Sequence, residues 1–288
     1  MKSSIEFYSN GQLIKGHLYS PVLENKAPAI VLAHGFAGVK ELLLPAYAEK
    51  FAKAGFYALT FDYRGFGESE GERGKIVPND QILDIRNAIT FLTSLKEIDA
   101  DNIGLWGTSF GGANAIIASS IDKRIKCLSV QLTFGNGERV IAGEMEESAK
   151  TKLLATMDKL AVKAVLNNKQ MMLPLIKVLT DEQSVDFYKK YLVDFPALDT
   201  KVPFITLKET IEHKPEKALK DVNIPILILG AEKDKVNPVS ESKILFELAN
   251  EPKALHIVKE ATHYEVYEGD KLNEAAGKQI EWFKNYFQ

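Results

Sequence analysis

The stretch GLWGTSFGGAN, residues 104–114, decides the fold. It holds one serine, Ser109, with Gly107 two residues before it and Gly111 two residues after. A serine on a tight turn from strand to helix adopts a strained backbone conformation, and its neighbours at minus two and plus two must be small for the chain to close around it. A bare G-x-S-x-G match also fits a glycine-rich turn without chemistry. Context separates the two readings: the apolar run NIGLW comes before the motif and the small-sided helical pattern GGANAIIASS comes after it. That is the setting of a serine presented at the end of a sheet strand.

Outward from this point, similar short apolar runs recur at AIVLAHG (29–35), FYALTFD (56–62), CLSVQL (127–132), IPILILG (224–230) and ALHIVK (254–259). Runs of this length read as buried parallel strands, and the helical patterns between them give the alternation of an α/β sheet covered on both faces. One helix starts near Pro45 and carries Leu44, Tyr47, Phe51 and Ala52 on one side until Gly55 ends it. A second starts at a capping Asn79 or Asp80, with Ile82, Ile85, Ile89 and Leu92 at helical spacing. The last carries Ala276, Ile280, Phe283 and Phe287 on one stripe. At the other end, IEFYS and QLIKGHLYS flank Asn10-Gly11, a pair that favours a tight antiparallel hairpin.

From Phe134 to Leu219 the strand signals stop, and segments rich in Lys, Glu, Leu and Met replace them. This reads as a helical cap, residues 134–219, inserted between two parts of one core, 1–133 and 220–288. The segment TDEQSVDFYKKYLVDF opens with a capping threonine or aspartate. Met171, Met172 and Leu175 within the insertion are candidates for lining a substrate pocket, because methionine adapts to irregular apolar ligands. The acidic cluster Glu144, Glu146 and Glu147 reads as a solvated helix face.

Composition narrows the function. Of 288 residues, 45% are hydrophobic and 26% charged, the balance of an ordinary globular protein. Lys and Arg number 36 against 39 Asp and Glu, a net charge of −3, so no polyanion such as nucleic acid is expected as partner. The first residues lack the continuous apolar core of a secretory signal, and no run is long enough to span a membrane, so a cytoplasmic location is expected. Cys127 is the single cysteine and reads as a small buried side chain. No grouping of His, Cys and carboxylates has metal-ligand spacing, so no metal or organic cofactor is expected.

A serine hydroxyl is a poor nucleophile unless a base takes its proton, and a histidine base needs a carboxylate to fix its tautomer. Of the five histidines, His17 lies in the hairpin, His256 lies inside a strand, His34 comes too early, and His213 sits in the charged stretch ETIEHKPEK, where it reads as a surface residue. His263, in the loop after the final strand, remains as candidate base. For the carboxylate, ILILGAEKDKVNP offers Glu232 and Asp234, and the spacing from Gly230 to Pro238 makes Asp234 the acid at the loop apex. Two backbone amides, of Phe36 in HGFAG and of Phe110 at the helix start, are candidates for stabilising a developing oxyanion. Arg64 in FDYRGFGESEG reads as pairing with a nearby acid or with backbone carbonyls.

Taken together, AHGFAG, FDYRGFGESEGE, GLWGTSFGG, ILGAEKDKVNP and ATHYEVYEG resemble the α/β-hydrolase superfamily, particularly bacterial esterases similar to dienelactone hydrolases and to cinnamoyl or feruloyl esterases. The resemblance covers Ala29 to about Leu132 and Ile224 to the end. It implies Ser109 as nucleophile, His263 as base and Asp234 as its orienting acid, in the chain order of that superfamily. Dienelactone hydrolases proper carry a cysteine where this chain has serine, which points away from lactone-ring chemistry and toward ordinary ester cleavage. The expected partner is a small-molecule ester or acyl compound, processed through an acyl-enzyme, with a homo-oligomer possible but not predicted. Acyl transfer, thioester or peptide cleavage by the same residues, and a non-catalytic binding module on the same scaffold, stay open as alternatives.

Overall fold

The computed structural model describes residues 1–23 and 25–287. Its first part comprises β1 (Lys2–Ser9), β2 (Gln12–Tyr19), β3 (Ala27–Ala33), α1 (Leu44–Lys53), β4 (Tyr57–Phe61), α2 (Pro78–Ser94), β5 (Ile98–Thr108), α3 (Phe110–Ile121) and β6 (Ile125–Gln131). An excursion follows, made of α4 (Gly137–Ala142), α5 (Glu147–Asn167), β7 (Met172–Pro174), α6 (Glu182–Tyr191), β8 (Lys201–Pro203) and α7 (Thr206–Glu212). The chain then returns through β9 (Ile226–Ala231), α8 (Val239–Leu248), β10 (Lys253–Val258) and α9 (Gly269–Tyr286).

Eight strands form one sheet in the order β1-β2-β4-β3-β5-β6-β9-β10. β1 and β2 are an antiparallel hairpin turning on Asn10 and Gly11, both at positive φ (49° and 80°), the combination a tight primed turn needs. β2 meets β4 antiparallel, and from β4 onward every neighbouring pair is parallel. This is the α/β-hydrolase fold that the sequence pattern implies.

Alternation along the strands supplies both faces of the sheet. On β3, Ala29, Val31 and Ala33 join the cluster formed with Ile82, Ile85, Ile89 and Leu92 of α2, while Ile30 and Leu32 join the opposite cluster with Tyr47 and Phe51 of α1 and Phe283 of α9. A parallel strand covered on both sides reads as a continuous apolar run for this reason. The expected side-chain cap of α2 is absent. Val77 holds the cap position and Pro78 begins the helix, because the fixed φ of proline suits the first turn and leaves Asn79 and Asp80 inside it.

The excursion is mostly helical, with one departure from the sequence expectation. β7 and β8, three residues each, pair antiparallel with Leu173 opposite Val202. Strands this short cannot display a period, so no alternation marks them. Asp181 caps α6 as expected, accepting from the Ser184 amide at 2.8 Å. Glu144, Glu146 and Glu147 are all exposed. Among the described residues no helix is long and apolar enough to cross a membrane.

Candidate active site

The parallel strands bring the loops after β3, β5, β9 and β10 to one edge of the sheet, and the candidate residues sit in those loops. Ser109 links β5 to α3 with φ 52° and ψ −124°, a left-handed conformation that costs an L-residue energy and turns its side chain out of the sheet. The flanking glycines are required by contact. A Cβ on Gly107 would lie 2.6 Å from the Gly111 carbonyl oxygen, and one on Gly111 would lie 2.3 Å from that of Ala33. The turn is held from β6 as well: the Ser109 amide donates to Gln131 O at 2.9 Å and Thr133 Oγ1 donates to Ser109 O at 2.7 Å.

The loop after β3 passes directly beside the serine. A Cβ on Gly35 would sit 3.2 Å from Ser109 Cβ and 3.7 Å from its Oγ. Phe36 follows, its ring edge-on to that of Phe110 at 5.6 Å and its carbonyl accepting from Tyr188 Oη at 3.4 Å. Phe110 is the first residue of α3, so its amide has no acceptor within the helix. His34 is buried beneath the loop with Nε2 donating to Leu42 O at 2.9 Å, and burial lowers its pKa. Further along, Lys40 is 1% exposed and its ammonium meets Asp62 at 2.8 Å, Glu41 at 2.8 Å and Glu68 at 2.5 Å. Burial pulls the lysine pKa down, but the hydrogen bonds that the ammonium donates to these three carboxylates outweigh it and the net shift is upward. Lys40 thereby ties the β3 loop to the β4 loop. In that second loop Arg64 pairs with Asp84, Nη2 to Oδ1 at 2.6 Å, which gives it a structural partner as the sequence suggested.

Across the edge, His263 and Asp234 are both buried, with Nδ1 of the imidazole 2.7 Å from Oδ2 of the carboxylate. Oδ1 of the same carboxylate accepts from the amides of Val236 and Asn237, each at 2.8 Å. A carboxylate so engaged holds a proton on Nδ1 and leaves the Nε2 lone pair free to accept another. Glu232 instead turns outward to Lys259 and to the Glu260 amide. Ser109 and His263 line one small cavity of about 50 Å³, together with Gly35, Phe36 and Thr108. Among the described residues they share no hydrogen bond; Ser109 Oγ instead accepts from Asn237 Nδ2 at 3.2 Å.

A larger cavity of about 330 Å³ also opens beside Ser109, walled by Phe36, Phe110, Phe134, Val140, Leu179 and Leu207 among others. Its apolar wall comes mainly from the β6 end and the excursion, but not from the methionines singled out by sequence. Met171 and Met172 are exposed, at 42% and 40%, and Leu175 is buried in the core. Met172 lies in β7 and the other two flank it, and none of the three lines a cavity beside Ser109 among the described residues.

Three further residues depart from expectation or carried no sequence signal. His213 is buried rather than on the surface, stacked on Phe110 with ring centroids 5.4 Å apart, and burial lowers its pKa to about 4. Of the charged residues around it, Glu212 and Lys217 are exposed while Lys214 and Glu216 are half-buried in ion pairs with Glu138 and Arg139. Gln183 of α6 accepts from the His263 amide at 3.2 Å and donates to Lys233 O at 2.9 Å, fixing the base loop to the acid loop. Asn237 lies in ILILGAEKDKVNP, where no local pattern marks it. Of the remaining histidines, His256 pairs with Glu274 at 2.8 Å and His17 lies 4.0 Å from Glu41. Cys127 is fully buried, and burial raises its thiol pKa.

Known proteins are similar to this chain in sequence and in fold. The chain is 42% identical over 262 residues to an uncharacterized 31.7 kDa protein of Escherichia coli from the traX-finO intergenic region, covering 91% of this chain and 92% of that one. It is 29% identical to the thiohydrolase aneE of Aspergillus aculeatus, covering 98% and 93%. Among solved structures, DcsB in complex with its substrate analogue superposes with a TM-score of 0.87 at 26% identity, covering 100% of this chain and 99% of that one. The family model described as serine aminopeptidase, S33, matches residues 24–270, and the chain belongs to that family of hydrolase-type α/β enzymes.

Proposed function

We propose that the protein is a serine hydrolase that cleaves a carboxylic ester through an acyl-enzyme, with Ser109 as nucleophile, His263 as base and Asp234 as its orienting acid. The observation that carries this reading is the serine at positive φ sharing a cavity with a buried imidazole whose Nδ1 is bound to a carboxylate. Hydrogen bonds of this kind are often long without substrate and tighten in the reacting complex.

His263 Nε2 takes the hydroxyl proton as Ser109 Oγ bonds to the carbonyl carbon, and the carbonyl electron pair moves onto oxygen. The amides of Phe36 and Phe110 donate to that oxyanion, the second aided by the positive end of the α3 dipole. Collapse expels the alcohol, which leaves with the proton from His263. Water then gives a proton to His263 while bonding to the acyl carbon, and Ser109 Oγ departs with that proton as the acid is released.

The excursion acts as a cap that supplies the acyl pocket. The larger cavity suits an apolar acyl chain, because its wall is aliphatic and aromatic. Among the described residues the cavity has one lining carboxylate, Asp181, which is engaged in capping α6, against two lysines, Lys177 and Lys235. That balance disfavours the protonated amine of an aminopeptidase substrate and favours an ester. A second reading, thioester cleavage, draws on the similarity to the Aspergillus thiohydrolase and uses the same steps with a thiolate leaving.

Labelling with a fluorophosphonate, followed by peptide mapping, tests the assignment, since an activated serine reacts quickly with that reagent. Modification at Ser109, together with loss of p-nitrophenyl ester turnover in Ser109→Ala, is the expected result. Equal turnover by wild type and Ser109→Ala would remove the claim that Ser109 carries ester cleavage.

A further inference from the structure

Asn237 is 5% exposed and has a fully determined orientation. Its Nδ2 lies 2.7 Å from the Leu132 carbonyl oxygen, a pure acceptor, so the amino end of the amide must face that way. The same nitrogen carries a second hydrogen, and this one reaches Ser109 Oγ at 3.2 Å. The backbone amide of Asn237 is held in turn by Asp234 Oδ1 at 2.8 Å. One carboxylate therefore fixes both His263 and the residue that touches the serine oxygen.

We propose that Asn237 is a further catalytic residue, an N–H donor to the Ser109 oxygen that aims its proton and stabilises its charge. The proposal rests on Ser109 being the nucleophile. A hydroxyl has one hydrogen and two lone pairs. With one lone pair occupied by an N–H, the hydroxyl proton cannot point toward Asn237, which leaves it the other directions, among them the cavity that Ser109 shares with His263. The donor matters most when Oγ carries negative charge, which happens as it attacks and again as it leaves the acyl carbon. Hydrogen bonds to a charged oxygen are roughly twice as strong as those to a neutral one, so the contact favours the transition state over the resting hydroxyl. No new covalent step is involved. The proton still passes between Oγ and His263, and Asn237 keeps both of its own.

The test compares Asn237→Ala, which removes the donor, with Asn237→Asp, which replaces it by an acceptor of the same shape. Both lose the bond to Leu132 O, and the buried carboxylate of Asn237→Asp also faces that carbonyl, so thermal unfolding of each variant is measured beside labelling to report the structural loss separately. The donor role separates them, because an aspartate accepts the hydroxyl proton and turns it away from His263. Second-order labelling by a fluorophosphonate is expected to fall about tenfold in Asn237→Ala and by about a hundredfold in Asn237→Asp. If Asn237→Asp does not fold, Asn237→Leu fills the same space without an N–H and is expected to match the alanine variant. Labelling rates within twofold of wild type overturn the proposal, as do equal losses in both variants that track equal losses of thermal stability. Failure of the wild type to label at Ser109 overturns the hydrolase reading itself, and this proposal falls with it.

Discussion

His263 Nδ1 lies 2.7 Å from Asp234 Oδ2, and both groups are out of solvent. The carboxylate is acceptor to three donors at once, the imidazole and the amides of Val236 and Asn237, so its orientation is set by the loop and not by the histidine alone. An amide in its place keeps the shape but can present an N–H to Nδ1, which moves the imidazole proton to Nε2. Asp234→Asn is expected to fold and to lose kcat on p-nitrophenyl esters by about ten-thousandfold, the size of effect that a wrong tautomer produces in serine hydrolases. A fall of less than tenfold would mean that the carboxylate does not act through the imidazole.

His213 makes stability depend on pH. Its pKa falls from 6.5 to about 4 on folding because burial against Phe110 disfavours the cation. Between those values the unfolded chain binds more protons than the folded one, so stability rises with pH through the window and is lost as pH falls from 6.5 toward 4. The penalty reaches roughly 3 kcal/mol at the acid end. His213→Phe keeps an aromatic ring against Phe110 and has nothing to protonate. Urea unfolding followed from pH 7 to pH 4 is expected to show a shallower decline in this variant than in wild type. Parallel declines would assign the acid sensitivity elsewhere.

The core was legible because its signals are local. A parallel strand covered on both faces is a short apolar run, and Gly107-x-Ser109-x-Gly111 after such a run has few foldable meanings. Position sets His263, in the loop after the final strand, apart from His256 inside that strand, and the spacing from Gly230 to Pro238 sets Asp234 apart from Glu232 as the candidate acid. What escaped depends on contacts between distant segments. Gln183 reaches His263 across 80 positions and Asn237 reaches Ser109 across 128, and neither side chain has a local reason to be singled out. His213 was hidden by its charged neighbours, because a helix end that turns one residue inward leaves no period in the sequence. The pocket wall follows the same rule: methionines suggest a pocket by composition, while Met171 and Met172 are exposed and other residues line the cavity beside Ser109.

Leu207 of α7 lines the larger cavity beside Ser109 and is only half-buried, so a bulkier side chain there can grow into the open space instead of into the core. Leu207→Trp is expected to lower kcat/KM for a p-nitrophenyl octanoate by tenfold or more, since a few methylenes in an apolar pocket carry about that discrimination. Turnover of the acetate, which does not reach the wall, is expected to change little. Equal losses on both esters would place the acyl chain outside this cavity.

Ser109 holds φ at 52°, where a side chain with a Cβ is strained and glycine is not. Such strain costs on the order of 1 kcal/mol or more and persists only where the surroundings impose it. Here they do so through the Gln131 and Thr133 hydrogen bonds and the close-packed glycines around the turn. Ser109→Ala and Ser109→Gly both remove the hydroxyl and its bond to Asn237, so the difference between them isolates the backbone. At an ordinary φ the alanine variant would be the more stable, because glycine gives up more freedom on folding. At this position the order is expected to reverse, with Ser109→Gly unfolding at a higher urea concentration than Ser109→Ala and corresponding to about 1 kcal/mol. Both variants should be inactive on esters. An alanine variant as stable as the glycine one would mean that the turn relaxes once the hydroxyl is gone, and that the serine itself, not its setting, holds the conformation.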